Sequence, residues 1–255
     1  MELFDNPLSP YSVKVRVALY EKGLAFDLHE IWSHEDGEAL RALNPRAEVP
    51  ALRDGDTVVY DSRIICDYLD DRHPESPLMP SDPTARAACR GLETIADTQL
   101  DPCVLVLALY KVFRPGLADT HPAALDQVTG ILRRHYANLD GKLDGRQFLG
   151  GAFSRADIAC FPHLAFTALL GAGVGDEHPR LAAWFARMND RPSCQRATAE
   201  AMAAFDQSKS VTKPFFDYDR LHWRSDRIEM LLRIGLGPWL LEELGANRGF
   251  LPDVP

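Results

Sequence analysis

The sequence predicts a mixed α/β domain followed by an all-α domain, and three observations support this division. Residues 1–76 alternate short apolar strands with helices, whereas the apolar spacing beyond residue 84 is helical. Between the two regions, residues 74–83 contain four prolines and two serines, a composition typical of a linker. The chain of 255 residues also exceeds the size at which one core usually keeps growing, so two domains are expected.

In the first domain, strands are expected at residues 1–4, 26–31, 51–53 and 57–60. A helix over residues 11–22 ends at Gly23, which suits the left-handed position after a helix. An Asp-Gly turn joins the last two strands as a hairpin, and a second helix over residues 62–72 ends before Pro74. This β-α-β, β-β-α order is typical of the thioredoxin arrangement, in which the ligand site lies at strand ends and helix starts.

The second domain is expected to span residues 84–205, with helices that begin near Thr84, Pro122 and Ile158. The first of these helices should be disturbed at Pro102, because proline has no N–H to donate. Ser154 and Asp157 have the spacing of a capping box before the third helix. Asp157 can also be read as a catalytic acid, but capping accounts for both residues.

Residues 206–255 form an extension that is too aromatic for a disordered tail. Helices are expected at 219–234 and 239–244, separated by glycines and a proline. The aromatic residues must be covered, since otherwise they would create exposed apolar patches; they are Phe215, Phe216, Tyr218, Trp223, Trp239 and Phe250. We expect the extension to pack on the same subunit near the ligand cleft as a lid, or alternatively along the outer face of the helical domain.

Composition excludes several classes of function. The net charge of -9 repels phosphate backbones, so nucleic-acid binding is not expected. The five cysteines are scattered without metal-ligand spacing, so we expect no metal site and a reducing compartment. No secretory signal and no apolar span of membrane length are found, so a cytoplasmic protein that does not insert in membranes is expected.

The stretch Ser9-Pro10-Tyr11-Ser12 follows the first strand and opens the first helix. It has the form of a Cys-Pro-Tyr-Cys motif in which hydroxyls replace both sulfurs. A serine cannot exchange disulfides as a thiolate does. Its hydroxyl can instead donate a hydrogen bond to a bound thiolate near the positive end of a helix. Ordinary N-terminal capping by Ser-Pro is the alternative interpretation.

A second group of features follows at fixed distances. Residues 44–50, Asn-Pro-Arg-Ala-Glu-Val-Pro, precede a predicted strand, and Asp61-Ser62 opens the helix over residues 62–72. Together with the Ser9 motif, these features resemble the soluble glutathione transferase superfamily, in particular serine-type, bacterial-like members, here with a C-terminal extension. The resemblance runs through most of residues 1–205 and implies a thioredoxin-like α/β domain followed by an all-α helical domain.

The resemblance also implies roles for individual residues. In serine-type classes the active hydroxyl lies seven residues before a helix arginine, here Arg16, which selects Ser9 over Ser12 as the catalytic residue. Tyr11 is expected to be structural, although its phenol could also donate.

Four further residues are expected to bind glutathione: Val49 and Pro50 through the main chain beside a cis peptide, and Asp61 and Ser62 at the γ-glutamyl end. The ammonium and carboxylate of that end suit a carboxylate, a hydroxyl and a helix N-terminus.

Glu48 departs from the family pattern, in which a Lys, Gln or Arg faces the glycine carboxylate of glutathione. An acidic residue there would repel that carboxylate unless it points away or a neighbouring cation compensates; the candidates are Arg46, His34 and Lys14.

The resemblance implies a homodimeric enzyme that uses glutathione as co-substrate and conjugates it to an apolar electrophile. The pocket for that electrophile is expected to use side chains around residues 100–115 and 160–170. Two alternatives are a glutathione-dependent ether-cleaving, dehalogenating or isomerising enzyme, and a non-catalytic binding or scaffold protein with the same fold.

Overall fold

The computed structural model describes residues 1–32, 36–210 and 221–250. The N-terminal domain contains, in chain order, β1 (Glu2–Asp5), α1 (Pro10–Glu21), β2 (Asp27–Glu30), α2 (Asp36–Leu43), β3 (Ala51–Asp54), β4 (Thr57–Tyr60) and α3 (Ser62–Arg72). The helical domain contains α4 (Pro83–Ile95), α5 (Asp101–Ala108), α6 (Leu117–Thr120), α7 (Pro122–Lys142), α8 (Arg155–Leu169), α9 (Pro179–Asn189) and α10 (Pro192–Ser210). The extension contributes β5 (Leu221–His222), α11 (Ser225–Arg233), α12 (Gly237–Gly245) and β6 (Gly249–Phe250).

The four-stranded sheet has the order β2-β1-β3-β4. β1 is parallel to β2 and antiparallel to β3, and β3 is antiparallel to β4. Phe4 near the end of β1 pairs with Ala51 at the start of β3, and Ala51 pairs in turn with Tyr60 at the end of β4. The segments that follow β1, precede β3 and follow β4 therefore meet at one edge of the sheet.

Helix α1 connects the two domains. It packs against α3 on one side and against α8 and α10 on the other. One continuous apolar cluster runs through both domains, from Leu3 and Leu52 in the sheet to Leu132 and Trp184 in the helices, all of them buried. The domains are therefore held in a fixed relation along the length of α1.

Buried charges reinforce this junction. Lys14 of α1 lies 2.7 Å from Asp97 and 3.4 Å from Glu93. Glu93 is also paired at 2.8 Å with Arg155, which forms an ion pair with Asp67 of α3 as well. Removing one member would leave an uncompensated buried charge, which is strongly destabilising.

The helical run that begins with α4 changes its hydrogen bonding before Pro102, where the sequence predicted a disturbance. Residues Ala96–Leu100 form π-type turns between α4 and α5, and Leu109–Phe113 do the same after α5. Proline lacks the N–H that an α-helix needs, and a local change to wider turns accommodates it. The chain stays helical through the proline.

The capping box before α8 is present as predicted. Asp157 is fully buried and accepts a hydrogen bond from the Ser154 N–H at 2.9 Å. Its other oxygen accepts hydrogen bonds from the Leu149 N–H and the Trp184 indole, both at 2.8 Å. These contacts account for Asp157 as a structural residue.

The extension packs on the same chain, with α11 against α5. Trp223 is completely buried and meets the ring of Trp239 edge to face at 5.9 Å. The first extension helix begins at Ser225 rather than near residue 219, because Leu221–His222 pairs with Gly249–Phe250 as a short parallel ladder. Phe215, Phe216 and Tyr218 lie outside the described residues. None of the described helices is long and apolar enough to cross a membrane.

Candidate active site

A cleft of about 610 Å³ lies between the two domains. Its first wall is the sheet edge where β1, β3 and β4 meet the starts of α1 and α3. The opposite wall consists of α5, the end of α8 and the start of the extension. All the residues predicted to bind glutathione line the first wall: Ser9, Val49, Pro50, Asp61 and Ser62.

Ser9 is the N-cap of α1 and is half-buried at the mouth of this cleft. Its Oγ accepts a hydrogen bond from the Ser12 N–H at 3.4 Å. This capping bond does not use the hydroxyl hydrogen, which remains able to donate. The first turn of α1 contains no acidic residue, so the positive end of the helix is not neutralised locally.

Ser12 lies one turn further along α1 and has no exposure to solvent. Its Oγ accepts a hydrogen bond from the Asn6 N–H at 3.3 Å. Burial raises the pKa of Asp5, although Arg16 and Ser12 oppose that rise. The two serines therefore have different surroundings, with Ser9 in the cleft and Ser12 among buried polar groups.

Tyr11 lines the cleft beside Ser9, but its hydroxyl is already engaged. The hydroxyl donates to the main-chain carbonyl of Asp97 at 2.6 Å. Burial raises the pKa of Tyr11 well above its ordinary value, so the phenol stays protonated. The guanidinium of Arg224 lies 4.9 Å from the centre of its ring.

The Val49–Pro50 peptide is cis, as the resemblance implied. The preceding turn is fixed by Asn44, a buried side chain whose Nδ2 donates to the Glu48 carbonyl at 2.7 Å and whose Oδ1 accepts from the Arg46 N–H at 3.0 Å. The main chain of Val49 is therefore held at the cleft by contacts on its N-terminal side.

Asp61 is the N-cap of α3 and has a φ of 72°, in the left-handed region that residues with a side chain rarely adopt. Its Oδ1 accepts from the N–H groups of Arg63 at 2.9 Å and Ile64 at 3.4 Å. The side chain is exposed, whereas the neighbouring Ser62 is buried in the wall of the cleft. A carboxylate, a hydroxyl and a helix N-terminus thus lie together.

The charge of Glu48 is compensated by a close neighbour. Arg46 donates to both carboxylate oxygens, through Nε at 2.7 Å and through a terminal nitrogen at 3.2 Å. The possibility that Lys14 compensates is wrong, because Lys14 is buried at the domain junction and paired with Asp97 and Glu93. His34 lies outside the described residues.

The second wall is mainly apolar and includes residues from both of the expected segments. They are Val104, Leu105, Ala108, Val112 and Phe113 from the first segment, and Phe166, Leu169 and Leu170 from the second. Asp101 also falls in the first expected segment. Sequence reasoning did not identify several other polar or aromatic residues of the cleft: Trp32, Asp97, Phe205, Arg224 and Arg227. Their spacing along the chain carries no signal of a common site, since they meet only through tertiary packing.

Within the described part of the chain, no group of three or more His, Cys, Asp or Glu side chains is arranged to hold a metal ion. The five cysteines are all buried and free. Burial raises the pKa of the Cys66 and Cys103 thiols to about 12. These thiols are therefore neutral at ordinary pH, and none of them lines the cleft.

Comparisons with known proteins agree with this architecture. The glutathione S-transferase N-terminal domain family matches residues 3–77, and the glutathione S-transferase C-terminal domain family matches residues 122–187. A solved glutathione S-transferase from Methylobacillus flagellatus with glutathione bound is 32% identical, has a TM-score of 0.66, and is matched over 77% of this chain and 98% of its own. The predicted order of a thioredoxin-like domain followed by an all-α domain is confirmed.

Two relatives have names that do not describe transferases. A stringent starvation protein A homologue of Coxiella burnetii is 46% identical over 92 residues, which are 36% of this chain and 44% of that protein. The chain therefore matches less than half the length of that relative. FtsZ-localized protein A of Caulobacter vibrioides is 30% identical over 200 residues, which are 74% of this chain and 87% of that protein. Both domain families are matched in order, and FtsZ-localized protein A and the Methylobacillus flagellatus transferase are matched over 87% and 98% of their length. This chain therefore belongs to the glutathione transferase superfamily.

Proposed function

We propose that this protein is a glutathione transferase of the serine type, which activates the thiol of glutathione with the Ser9 hydroxyl and conjugates it to an apolar electrophile. One observation carries the proposal. The sheet edge brings the Ser9 hydroxyl, the main chain at Val49–Pro50 and the helix-capping carboxylate of Asp61 into one cleft whose opposite wall is mainly apolar.

Glutathione would lie along the first wall. Its thiolate accepts a hydrogen bond from Ser9 at the positive end of α1, and its cysteinyl amide pairs with the main chain of Val49 beside Pro50. Its γ-glutamyl end meets Asp61 and Ser62, where the carboxylate of Asp61 suits an ammonium group and the start of α3 suits a carboxylate. The glycine end would lie toward Arg46 and Glu48, whose mutual pairing removes the repulsion expected from Glu48 alone.

In the reaction, the thiol loses its proton to solvent and the thiolate sulfur bonds to the electrophilic carbon. The bond from that carbon to its leaving group breaks, and the group departs with the electron pair. The protein contributes orientation and stabilisation of the thiolate. The apolar wall from α5 and α8 would hold the electrophile, and the extension acts as a lid over that part of the cleft.

A non-catalytic binding protein of the same fold is the second candidate. It is favoured by the relatives named for stringent starvation and for FtsZ localisation rather than for catalysis. In that case the cleft would bind glutathione or a related thiol without turnover. For both candidates we propose a cytoplasmic homodimer in which the first domain of one subunit packs on the helical domain of the other.

Two measurements separate these candidates. Calorimetric titration with glutathione should show binding, and the dipeptide Cys-Gly should bind more weakly because it lacks the γ-glutamyl group that Asp61 and Ser62 hold. Conjugation of 1-chloro-2,4-dinitrobenzene is then followed by absorbance. Binding with turnover supports the transferase, and binding without turnover supports the second candidate. Equal affinity for glutathione and Cys-Gly would contradict the proposed placement of the γ-glutamyl end. No binding of either would contradict the transferase and leave a non-catalytic scaffold protein of the same fold.

A further inference from the structure

The extension places a cation, Arg224, in the cleft, and this cation is not among the residues proposed to bind glutathione. Arg224 is the N-cap residue of α11, and its guanidinium lies over Tyr11, two residues from Ser9. It lines the same cavity as Ser9 and the apolar residues of α5 and α8. A guanidinium in a largely apolar cleft is costly to desolvate unless its hydrogen-bond donors are satisfied.

The donors of Arg224 are not satisfied by the described part of the chain. Its one ion pair there runs from Nε to Asp226 at 3.3 Å, and the guanidinium donates no hydrogen bond to any described residue. Asp226 is a poor partner, since burial raises its pKa and its Oδ2 has no hydrogen-bond partner among the described residues. The side chain of Arg224 is 24% exposed and lines the cleft.

The neighbouring charges do not cancel Arg224. Arg227 also lines the cleft, but it donates to both oxygens of the buried Asp101, through Nε at 2.8 Å and through a terminal nitrogen at 3.1 Å. Asp97 is likewise paired with Lys14 at 2.7 Å. Asp101 and Asp97 therefore each have a cation of their own, whereas Arg224 faces the second-substrate region with only the ion pair to Asp226 among the described residues.

The position of Arg224 is fixed by packing. The adjacent Trp223 is completely buried, and Leu231 and Ile234 of the same helical segment lie in the core. A further tie joins the extension to the body of the helical domain, since Arg114 lies 3.0 Å from Glu243 of α12. The guanidinium is thus preorganised over Tyr11, and a planar guanidinium is suited to bidentate binding of a carboxylate.

We propose that Arg224 is a specificity-determining residue that binds a carboxylate on the electrophilic substrate, so that the preferred second substrates are apolar or aromatic compounds with one anionic group. This proposal rests on the proposed function for its reaction, but the binding of the anion does not depend on turnover. The carboxylate is placed on the second substrate because Tyr11 and Arg224 adjoin the thiol end of the cleft, whereas Arg46, Asp61 and Ser62 line the other parts of the first wall.

The test compares two substrates that differ at one carboxyl group, which is ionised in 4-chloro-3,5-dinitrobenzoate and uncharged in its methyl ester; the intrinsic difference in their reactivity cancels when variants are compared by the ratio. In each, the glutathione sulfur bonds to the ring carbon that carries chlorine and chloride leaves. We expect Arg224→Gln to lower the ratio of kcat/KM for the acid to that for the ester by about tenfold or more, the order expected for a hydrogen bond between charged groups. Arg224→Lys should lie between wild type and Arg224→Gln.

Arg233→Gln is the matched control, because Arg233 is an exposed arginine of the same helix that pairs with Glu229 and does not line the cleft. This variant should leave the acid-to-ester ratio unchanged. Raising the ionic strength should reduce the preference for the acid in wild type and not in Arg224→Gln. An equal change of both substrates in Arg224→Gln, or an equal effect of Arg233→Gln, would overturn the proposal.

A binding experiment keeps the inference separate from catalysis. Calorimetry with 3,5-dinitrobenzoate and its methyl ester, neither of which has a leaving group, should show an approximately tenfold loss of affinity for the acid alone in Arg224→Gln. This result would support the anion site even in a protein with no transferase activity. If Arg224→Gln weakens glutathione binding instead, the carboxylate is that of glutathione and the assignment to the second substrate is wrong.

Discussion

Replacing Ser9 by alanine removes one hydroxyl from the mouth of the cleft and has two separable effects. The first is the loss of a helix cap, whose hydrogen bond to the Ser12 N–H is long at 3.4 Å. Loss of that cap should reduce the free energy of unfolding by about 1 kcal/mol or less. The second is the loss of the hydrogen bond that we propose to the glutathione thiolate.

The second effect sets the size of the kinetic change. A hydrogen bond to a charged group contributes roughly 1.5–3 kcal/mol, which corresponds to about a 10- to 100-fold loss of turnover. A hydrogen bond to the thiolate stabilises the charged form and lowers the thiol pKa, so its removal should raise that pKa by about 1–2 units. The loss in Ser9→Ala should therefore be largest below the thiol pKa and shrink as pH rises. Ser9→Thr, which keeps a hydroxyl, should retain most activity.

Ser12→Ala is the matched control, since it removes the same atom one turn away. Its Oγ is buried and accepts from the Asn6 N–H, so this variant should lose about 1–3 kcal/mol of stability because that N–H is left unsatisfied. Turnover per folded molecule should not change. Steady-state kinetics from pH 6 to 9, with unfolding in urea measured in parallel, decides the matter. A larger kinetic loss in Ser12→Ala, or an unchanged pH profile in Ser9→Ala, would refute the assignment of Ser9.

Three further predictions concern the extension and the assembly. Trp223→Ala should leave a cavity beneath the residues that position α11, since Trp223 is completely buried. Urea unfolding should show a free energy of unfolding lower by about 3–5 kcal/mol, and KM for the electrophile should rise. An unchanged KM would argue against the lid. Arg227→Met should lower the free energy of unfolding by about 3–5 kcal/mol, because it removes the ion-pair partner of the buried Asp101 carboxylate. Burial raises the pKa of Asp101, but the ion pair with Arg227 outweighs burial and holds this pKa below the ordinary 3.8. The pair therefore stabilises the fold fully above pH 3.8, and its contribution is lost as the pH falls below that value. If the stability difference between Arg227→Met and wild type is the same at pH 2 as at neutral pH, this reasoning is wrong. Sedimentation should give a dimer of the 28.4 kDa chain at micromolar concentration, and a monomer would contradict the proposed assembly.

The first domain could be predicted in detail because its signals are local. The strands, the end of α1 at Gly23 and the hairpin before β4 depend on turn residues and short apolar runs. The same local logic brings the predicted glutathione residues together, since the ends of β1 and β4 and the start of β3 share one edge of the sheet. Which of Ser9 and Ser12 faces the cleft is less evident from local signals, because it depends on the orientation of the first turn of α1.

On the other side of the cleft, the apolar segments could be expected from the resemblance, but the charged residues could not, because they are brought together by contacts between residues more than 100 positions apart. Asp101 and Arg227 are separated by 126 positions, and neither belongs to a motif. On α11 the charged residues have the spacing of an ordinary solvated helix face, which contains no indication that Arg224 and Arg227 face inward. Only the burial of Trp223 and the packing of α11 on α5 turn that face toward the cleft.

This arrangement links the extension to the selectivity of the site through a division of charge. Each cation that the extension brings to the cleft meets a different environment. Arg227 forms an ion pair with the buried Asp101, and this pair joins α11 to α5. Arg224 meets the ring of Tyr11 and a weakly placed Asp226, so its donors stay available. The single change Asp101→Asn would remove the negative charge that pairs with Arg227 and that also lies close enough to act on Arg224. We expect that variant to lose stability yet bind 3,5-dinitrobenzoate at least as tightly as wild type in calorimetry. A loss of dinitrobenzoate affinity that exceeds the loss for the methyl ester would show that the Asp101–Arg227 pair positions Arg224 rather than competing with it for charge.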